Sequence, residues 1–190
     1  IIGAKTSIVA RWQKAGIRGW RLDVADELPT SFIRLFRERL KGLDADSALI
    51  GEVWEDASRK VSYGELRSYF NGRELDSVMN YPFREAVVGY LTGAFDGAAA
   101  LRRLYGLYEH YPRPAFMALW NLIGTHDVVR ALTALGDASP EALSEQARRT
   151  YRLPREQKKT ALARLRLAVF WQLTFPGAPL IYYGDEAGVE

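Results

Sequence analysis

Three carboxylates in the chain stand at the end of an apolar run or just past it. They are Asp23 in Gly19–Val24, Glu52 in Ile50–Trp54 and Asp127 in Asn121–Asp127. Carboxylates can act as nucleophiles, general acids or general bases. In a barrel of parallel strands, acids that are far apart in sequence can meet at the carboxyl ends of the strands. The spacing therefore predicts one site where several carboxylates do acid–base or nucleophilic chemistry.

The first carboxylate, Asp23, has a cation close to it in the sequence. Side chains alternate along a strand, so Arg21 and Asp23 share one face. Leu22 and Val24 share the other face and are expected to pack on surrounding helices. A positive charge beside Asp23 favours its ionised form, which a nucleophile needs. Taken alone, an Arg-x-Asp pair is more often a structural ion pair, and that alternative stays open.

Glu52 and Asp127 complete the set of acids. Glu52 is expected on the inner face of its strand, and Asp127 directly follows His126. Two carboxyl groups in unlike surroundings can act as a nucleophile and a proton donor. Asp23 and Glu52 are therefore predicted to supply the nucleophile and the proton donor. Each residue alone has a structural alternative, and His110 is expected to be an ordinary hydrogen-bonded histidine.

Short apolar runs alternate with amphipathic stretches, which predicts an α/β fold with a parallel sheet covered by helices. The predicted strands are Gly19–Val24, Ala48–Val53, Leu75–Met79, Met117–Ile123 and Pro179–Tyr183. The predicted helices are Ser7–Ala15, Ser31–Gly42 with Ser31 as its cap, Arg84–Leu91, Ala98–Tyr108, Val128–Leu135, Glu141–Arg149 and Gln157–Thr174. The helix from Ser31 is expected to present Phe32, Ile33, Phe36 and Leu40 as an apolar stripe, and the last helix to bury Leu162, Leu165, Val169 and Leu173 on one face. A closed barrel needs eight strands, so this pattern predicts a partial barrel.

Composition narrows the class of protein. The 190 residues carry a formal net charge of +3, and 48% of them are hydrophobic. With basic and acidic residues mixed along the chain, this favours one domain over 1–190 without nucleic-acid or membrane partners. The chain has no cysteine, which excludes disulfides and thiolate metal sites and suits the reducing cytoplasm. Because it opens without an initiator Met, a preceding secretory leader stays open.

Several motifs together resemble the α-amylase family of glycoside hydrolases. Gly19–Glu27 resembles the family's nucleophile strand, Gly51–Trp54 its acid/base strand, and Thr125–Asp127 the motif of its third carboxylate. Leu75–Phe83 and Phe175–Glu186 are most similar to the neopullulanase, cyclomaltodextrinase and maltogenic amylase branch. The resemblance implies an incomplete catalytic (β/α)8 TIM barrel that holds strands four to eight, with the first three strands absent. Such a piece alone is expected to be inactive.

The resemblance also implies a role for each acid. Asp23 is expected to be the catalytic nucleophile, Glu52 the acid/base, and Asp127 the carboxylate that binds ring hydroxyls in the transition state. The predicted substrate-binding residues are Arg21, His126, Trp54, Tyr81 and Arg130. Trp54, two positions after Glu52, is the candidate platform under a glucose ring. For Arg130, contact with the site and solvation of a helix start both stay open.

The implied substrates are α-1,4-linked glucans, namely maltooligosaccharides, cyclodextrins, pullulan or starch, hydrolysed with retention of configuration. Glucan transfer by the same carboxylates is the alternative among enzymes. A glucan-binding relative without turnover is the alternative outside enzymes, and the presence of all three acids argues against it. No redox or nucleotide cofactor is implied. Calcium in the complete protein and its homodimerisation are left open by the branch that the chain resembles.

Overall fold

The computed structural model describes residues 2–137 and 143–190. These residues form two compact units. The first contains the described chain up to Met79 together with Leu107–Leu119, and the second contains Asn80–Gly106 and the described part of Trp120–Glu190. The prediction of a single domain over 1–190 stays a prediction. Within the two described ranges, none of the helices has the length and apolar character needed to cross a membrane.

Helices and short strands alternate along the chain. The helices are α1 (Ile8–Lys14), α2 (Thr30–Leu43), α3 (Tyr81–Thr92), α4 (Gly97–His110), α5 (Arg113–Met117), α6 (Ala131–Leu135), α7 (Glu145–Thr150) and α8 (Arg155–Thr174), with a 3₁₀ turn at Ala25–Glu27. The strands are β1 (Gly19–Leu22), β2 (Ala48–Gly51), β3 (Val61–Ser62), β4 (Glu65–Leu66), β5 (Ser77–Asn80), β6 (Trp120–Leu122) and β7 (Ala178–Leu180). The five predicted strands are present as β1, β2, β5, β6 and β7, and each is shorter than predicted.

The first unit is built on three parallel strands. β1 pairs with β2, with Gly19 opposite Ala48 and Leu22 opposite Gly51. β2 in turn pairs with β5 in the same direction. Parallel pairing places the carboxyl ends of neighbouring strands at one edge. This is the arrangement that the spacing of the first two acids predicts.

The helix α2, which lies between β1 and β2 in the chain, buries most of the predicted apolar stripe. Ile33, Phe36 and Leu40 are buried on one face, at the spacing of a helix that packs on a core. The predicted cap at Ser31 is wrong, because the helix begins one residue earlier and follows Pro29. Proline fixes its own φ near the helical value, so the chain can enter the helix there without a capping side chain.

Two features of the first unit differ from the prediction. β3 and β4 form an unpredicted hairpin around Tyr63 and Gly64, which have φ values of 54° and 78°. Two successive positive φ values are typical of the tight turns that join antiparallel strands. The predicted strand Met117–Ile123 starts too early, since Met117 ends α5. Pro112 precedes that helix and another proline lies in its first turn, where a missing N–H costs no hydrogen bond.

The second unit has one apolar cluster. Its buried members are Phe83, Ala86, Val87, Leu104, Ile123, Ala131, Leu132, Leu135, Leu153, Ala161, Leu165 and Ala168. They come chiefly from α3, α6 and α8. β6 pairs in parallel with β7 in this unit, with Leu122 opposite Leu180.

The last two helices depart from the prediction. α8 buries Ala161, Leu165, Ala168 and Gln172. The predicted face is therefore partly wrong, because Leu162 and Leu173 are exposed. The predicted helix Glu141–Arg149 is observed as α7, which begins at Glu145. Its predicted start, at residues 141 and 142, lies outside the described residues.

Candidate active site

Arg21 joins two carboxylates of the first unit. Its Nη1 donates to Asp23 Oδ1 at 2.5 Å, and its Nη2 lies 2.8 Å from Glu52 Oε2. The side chain of Asp23 is 73% exposed, whereas that of Glu52 is 4% exposed. Asp23 is thus open to a ligand, and Glu52 is held inside the protein. The prediction that Arg21 and Asp23 share a face agrees with this contact, and the contact with Glu52 goes beyond it.

The chain turns sharply at Val24, directly after Asp23. Val24 has φ 41° and ψ 60°, in the left-handed region that β-branched residues rarely enter. Its N–H donates to Glu52 Oε2 at 2.9 Å, and the N–H of Ala25 donates to the Glu52 carbonyl at 3.0 Å. The predicted packing of Val24 on helices is wrong, because β1 ends at Leu22 and Val24 is 45% exposed. Backbone strain of this kind is common at functional sites.

Glu52 is positioned by the glycine before it. A Cβ on Gly51 would overlap Leu75 Cδ1 and lie 3.2 Å from Ala25 Cβ. Only glycine therefore fits where β2 ends and Glu52 begins. The N–H of Glu52 donates to Leu22 O at 2.9 Å, so the backbone of this acid is bonded on both sides to the segment around Asp23.

Trp54 contacts the acid that it follows by two residues. Its indole N–H donates to Glu52 Oε1 at 3.3 Å, and Trp54 is 47% exposed. An indole that is bonded at one edge and exposed elsewhere presents apolar surface in a fixed position. Trp54 therefore stays the candidate platform for a sugar ring.

His110 holds the loop that follows Trp54. His110 Nδ1 lies 2.8 Å from Asp56 Oδ2, and Arg59 Nη2 lies 2.8 Å from His110 Nε2. Arginine can only donate, so Nε2 accepts and Nδ1 carries the proton that bonds to Asp56. Burial favours a higher pKa for Asp56, but hydrogen bonds from Ser58 and His110 outweigh it and hold the pKa below its usual value. Both ring nitrogens have structural partners, which agrees with the structural interpretation of His110.

The third carboxylate lies in the second unit, on the segment after β6. The Asp127 N–H donates to Thr125 Oγ1 at 3.2 Å, and His126 Nε2 lies 3.3 Å from Asp127 Oδ1. Thr125 is buried, whereas the side chains of His126 and Asp127 reach solvent. The buried hydroxyl thus fixes the backbone of an exposed His-Asp pair that can meet a ligand.

A buried amide network, which the sequence pattern does not predict, supports the same unit. Asn80 Nδ2 donates to Asn121 Oδ1 at 2.9 Å, and Asn80 Oδ1 accepts from the Phe83 N–H at 3.1 Å. Gln172 Nε2 donates to the carbonyls of Asn121 and Leu180, both at 2.9 Å. These bonds tie α3, α8 and β7 to the strand that leads to Asp127. An asparagine inside an otherwise apolar strand was the available signal.

Arg130 and Tyr81 have surroundings that the sequence does not predict. Arg130 Nη1 donates to Tyr183 O at 2.6 Å, and its guanidinium lies 4.7 Å and 4.6 Å from the ring centroids of Tyr182 and Tyr183. It therefore anchors the segment after β7. Tyr81 begins α3 and is 5% exposed. A role for Tyr81 in substrate binding stays a prediction, and its buried ring disfavours stacking on a sugar.

Across 2–137 and 143–190, no group of three or more His, Cys, Asp or Glu side chains is placed to hold a metal ion. Calcium in the complete protein stays a prediction, because calcium also binds backbone and amide oxygens.

The chemistry available in the first unit is that of two unlike carboxyl groups. An exposed carboxylate beside a cation can attack an electrophilic carbon. A buried carboxyl group whose oxygens contact donors from Arg21, Val24 and Trp54 is held in one orientation, as proton transfer requires. The exposed His126 and Asp127 of the second unit can bind hydroxyl groups.

Comparison with known proteins identifies relatives along nearly the whole chain. A family model described as the catalytic domain of alpha amylase matches residues 3–190. Neopullulanase 2 of Thermoactinomyces vulgaris is 39% identical over 183 residues, which cover 95% of this chain and 26% of that protein. A cyclomaltodextrinase of Thermoanaerobacter pseudethanolicus is 35% identical over 179 residues, which cover 93% of this chain and 25% of that protein.

A solved structure gives the same result for the fold. The debranching enzyme of Nostoc punctiforme superposes with a TM-score of 0.74 at 28% identity, covering 96% of this chain and 35% of that one. The chain spans about a quarter of the length of the two curated relatives named above.

Proposed function

Because this chain belongs to the α-amylase family of glycoside hydrolases, we propose that the complete protein hydrolyses α-1,4-glucosidic bonds of maltooligosaccharides, cyclodextrins, pullulan or starch. The relatives are a neopullulanase and a cyclomaltodextrinase by name. The observation that carries the proposal is the contact of one guanidinium, that of Arg21, with both Asp23 and Glu52. It unites the two carboxyl groups that a retaining glycosidase needs.

The proposed reaction proceeds in two displacements. Asp23 attacks the anomeric carbon while Glu52 protonates the departing glycosidic oxygen, which gives a glycosyl ester of Asp23 and frees the rest of the chain. Glu52, now ionised, takes a proton from water as that water attacks the same carbon and releases Asp23. Two inversions give net retention, for which the carboxyl groups are expected to lie about 5–5.5 Å apart.

Arg21 has two effects in this scheme. Its positive charge stabilises the ionised Asp23 that performs the attack. The same guanidinium, through Nη2 at 2.8 Å from Glu52 Oε2, holds the carboxyl group of Glu52 in one orientation, as proton transfer requires.

His126, Asp127 and Trp54 are proposed to bind the sugar. The exposed Asp127 accepts hydrogen bonds from ring hydroxyls, and contacts that tighten as the ring distorts raise the rate. His126 binds the same sugar, and Trp54 offers its exposed indole surface as a platform. Arg130, which is anchored by its bond to Tyr183, and Arg21 are further candidates for contact with the sugar.

The proposal is tested with the complete protein and two conservative variants. Asp23→Asn and Glu52→Gln are each expected to lower kcat on cyclodextrin and pullulan by several orders of magnitude, because either loss stops a two-step mechanism. α-Glucosyl fluoride needs little acid assistance, so it should be cleaved far better by Glu52→Gln than by Asp23→Asn. Glu55→Gln, which removes an exposed carboxylate paired with Lys60, is the matched control.

The outcomes separate the alternatives. A wild-type protein that binds glucans without cleaving them would replace hydrolysis by the binding function. Products formed at high acceptor concentration distinguish hydrolysis from glucan transfer, since both reactions use the same three acids.

The remaining partners are proposed from the composition and chemistry of the chain. Its small, mixed charge supports the absence of nucleic-acid and membrane partners. Two carboxyl groups supply the nucleophile and every proton transfer, so no redox or nucleotide cofactor is needed.

The lack of cysteine supports a cytoplasmic location, which cell fractionation would test. Homodimerisation of the complete protein would be tested by light scattering.

A further inference from the structure

A basic cleft lies in the second unit, next to the His-Asp pair. Its volume is about 700 Å³, within the range of small-molecule sites. The arginines that line it are Arg84, Arg130, Arg148, Arg149 and Arg152. Two carboxylates, Asp127 and Glu190, and the ring of His126 also line it. Guanidinium groups thus outnumber carboxylates in the lining.

The carboxylates near the cleft leave much of this charge unbalanced. Glu190 accepts from the Leu153 N–H at 2.5 Å and is also bonded by Lys158, which does not line the cleft. The carboxylate of Glu145 offsets the positive charge of Arg149 in an exposed ion pair at 2.6 Å. Glu190 also lies close enough to Arg152 for that cation to help lower its pKa. Five guanidinium groups therefore share two lining carboxylates, and one of these, Glu190, also serves Lys158.

Three of the arginines are also held by backbone carbonyls, which orient their guanidinium groups. Arg84 Nε donates to Ile123 O at 2.8 Å, Arg130 Nη1 to Tyr183 O and Arg152 Nη1 to Tyr151 O, the last two at 2.6 Å. Within the described part of the chain, the side chain of Arg148 has no hydrogen bond or ion pair. The cleft therefore combines anchored cations with one that is available to a ligand.

Asp185 lies close to Arg130 and Arg84 but does not line the cleft. Burial raises the pKa of Asp185 against the opposing pull of those two arginines. Its Oδ1 is buried without a hydrogen-bond partner among the described residues.

The chemistry of the lining selects a phosphate group. Guanidinium forks bind phosphate by paired, charge-assisted hydrogen bonds, whereas a neutral sugar needs no excess of cations. The proposed sugar ligands His126 and Asp127 lie in the same cleft, so a glucan bound there would bring its substituents to the arginines. We propose that this cleft binds a phosphate group, carried as a monoester on the glucan or present as free inorganic phosphate. The glucan-borne form rests on the proposed function.

The first test measures binding of inorganic phosphate to the complete protein by calorimetry at constant ionic strength. The double variant Arg148→Gln/Arg152→Gln is expected to bind phosphate at least about tenfold more weakly, because it loses charge-assisted hydrogen bonds. Arg166→Gln removes an exposed arginine of α8 that does not line the cleft, and should bind as the wild type does. No binding by the wild type, or equal binding by the double variant, would overturn the proposal.

The second test distinguishes the two sources of phosphate. kcat/KM is measured on a phosphorylated maltodextrin and on the same dextrin after phosphatase treatment. A preference for the phosphorylated form that is lost in the double variant supports the monoester. Phosphate binding without such a preference supports free phosphate.

The tests also separate this inference from the proposed function. If the protein binds phosphate but cleaves no dextrin, the phosphate site is supported and the proposed hydrolysis is refuted. If it cleaves dextrin but binds no phosphate, the proposed hydrolysis is supported and the phosphate site is refuted.

Discussion

Nη2 of Arg21 lies 2.8 Å from Oε2 of the buried Glu52. The other terminal nitrogen of the same guanidinium contacts Asp23. A single cation therefore sets the electrostatics of both acids, and any change of its charge or shape should alter both steps of the proposed reaction.

Replacement of Arg21 tests this arrangement. Arg21→Gln is expected to lower kcat/KM on cyclodextrin about 10²- to 10³-fold, the usual effect of removing one preorganised electrostatic contact. Arg21→Lys should recover only part of the loss, because an ammonium lacks the fork that reaches two carboxylates. Arg18→Gln, at an exposed pair with Asp44, is the control. Full activity of Arg21→Lys would show that charge alone suffices.

Replacement of Gly51 tests the close packing around Glu52. Gly51→Ala should destabilise the complete protein by about 1–3 kcal/mol, since the added methyl overlaps Leu75. Urea unfolding measures this change. Gly42→Ala on α2 meets no atom within 4 Å and should be neutral or slightly stabilising, because alanine favours a helix. Equal stability of the two variants would contradict the packing argument.

Asp76 gives a pH-dependent prediction. Burial favours a higher pKa for Asp76, but Arg37, the Leu49 N–H and Lys41 outweigh it and hold the pKa below its usual value. A lowered native pKa stabilises the fold above the unfolded value of about 3.9, and this stabilisation is lost as pH falls through the native pKa. Asp76→Asn should therefore lower Tm at pH 7, and the difference should vanish in strong acid.

The control for that experiment is Asp46→Asn, at an exposed position. Its Tm should follow the wild type at every pH. A difference between Asp76→Asn and wild type that persists unchanged at pH 2 would assign the loss to packing rather than to charge.

The bonds of His110 predict the protection of the loop after Trp54. His110→Ala removes the partner of both Asp56 and Arg59, so trypsin should cleave after Arg59 faster than in the wild type. His126→Ala changes an exposed histidine of the other unit and should leave this cleavage unaffected. The rate of appearance of the fragments, resolved by mass spectrometry, is the measurement.

The family and the five strands could be predicted because their signals are local. Apolar runs that end in Asp23, Glu52 and near Asp127 mark both the strands and the family motifs, and the match to the alpha amylase catalytic domain confirms the prediction of a partial barrel. Apolar spacing also predicted the buried row of α2.

Other features could not be predicted, because they depend on contacts between distant segments. Leu162 fits an apolar stripe, but α8 turns its alanines and Gln172 inward, where Gln172 bonds the carbonyls of Asn121 and Leu180. Alternation along β1 placed Val24 on the packed face, yet its N–H bonds Glu52, 28 residues away. Tertiary hydrogen bonds override the local pattern at both places.

The left-handed conformation of Val24 also bears on how such a protein can be engineered. Asparagine or glycine would adopt that conformation at lower cost, so a screen for heat resistance alone should favour their substitution there. The same substitutions would change how firmly the turn orients Asp23 and Glu52. Selection for stability at this position is therefore expected to work against selection for turnover, and directed evolution would need to impose both together.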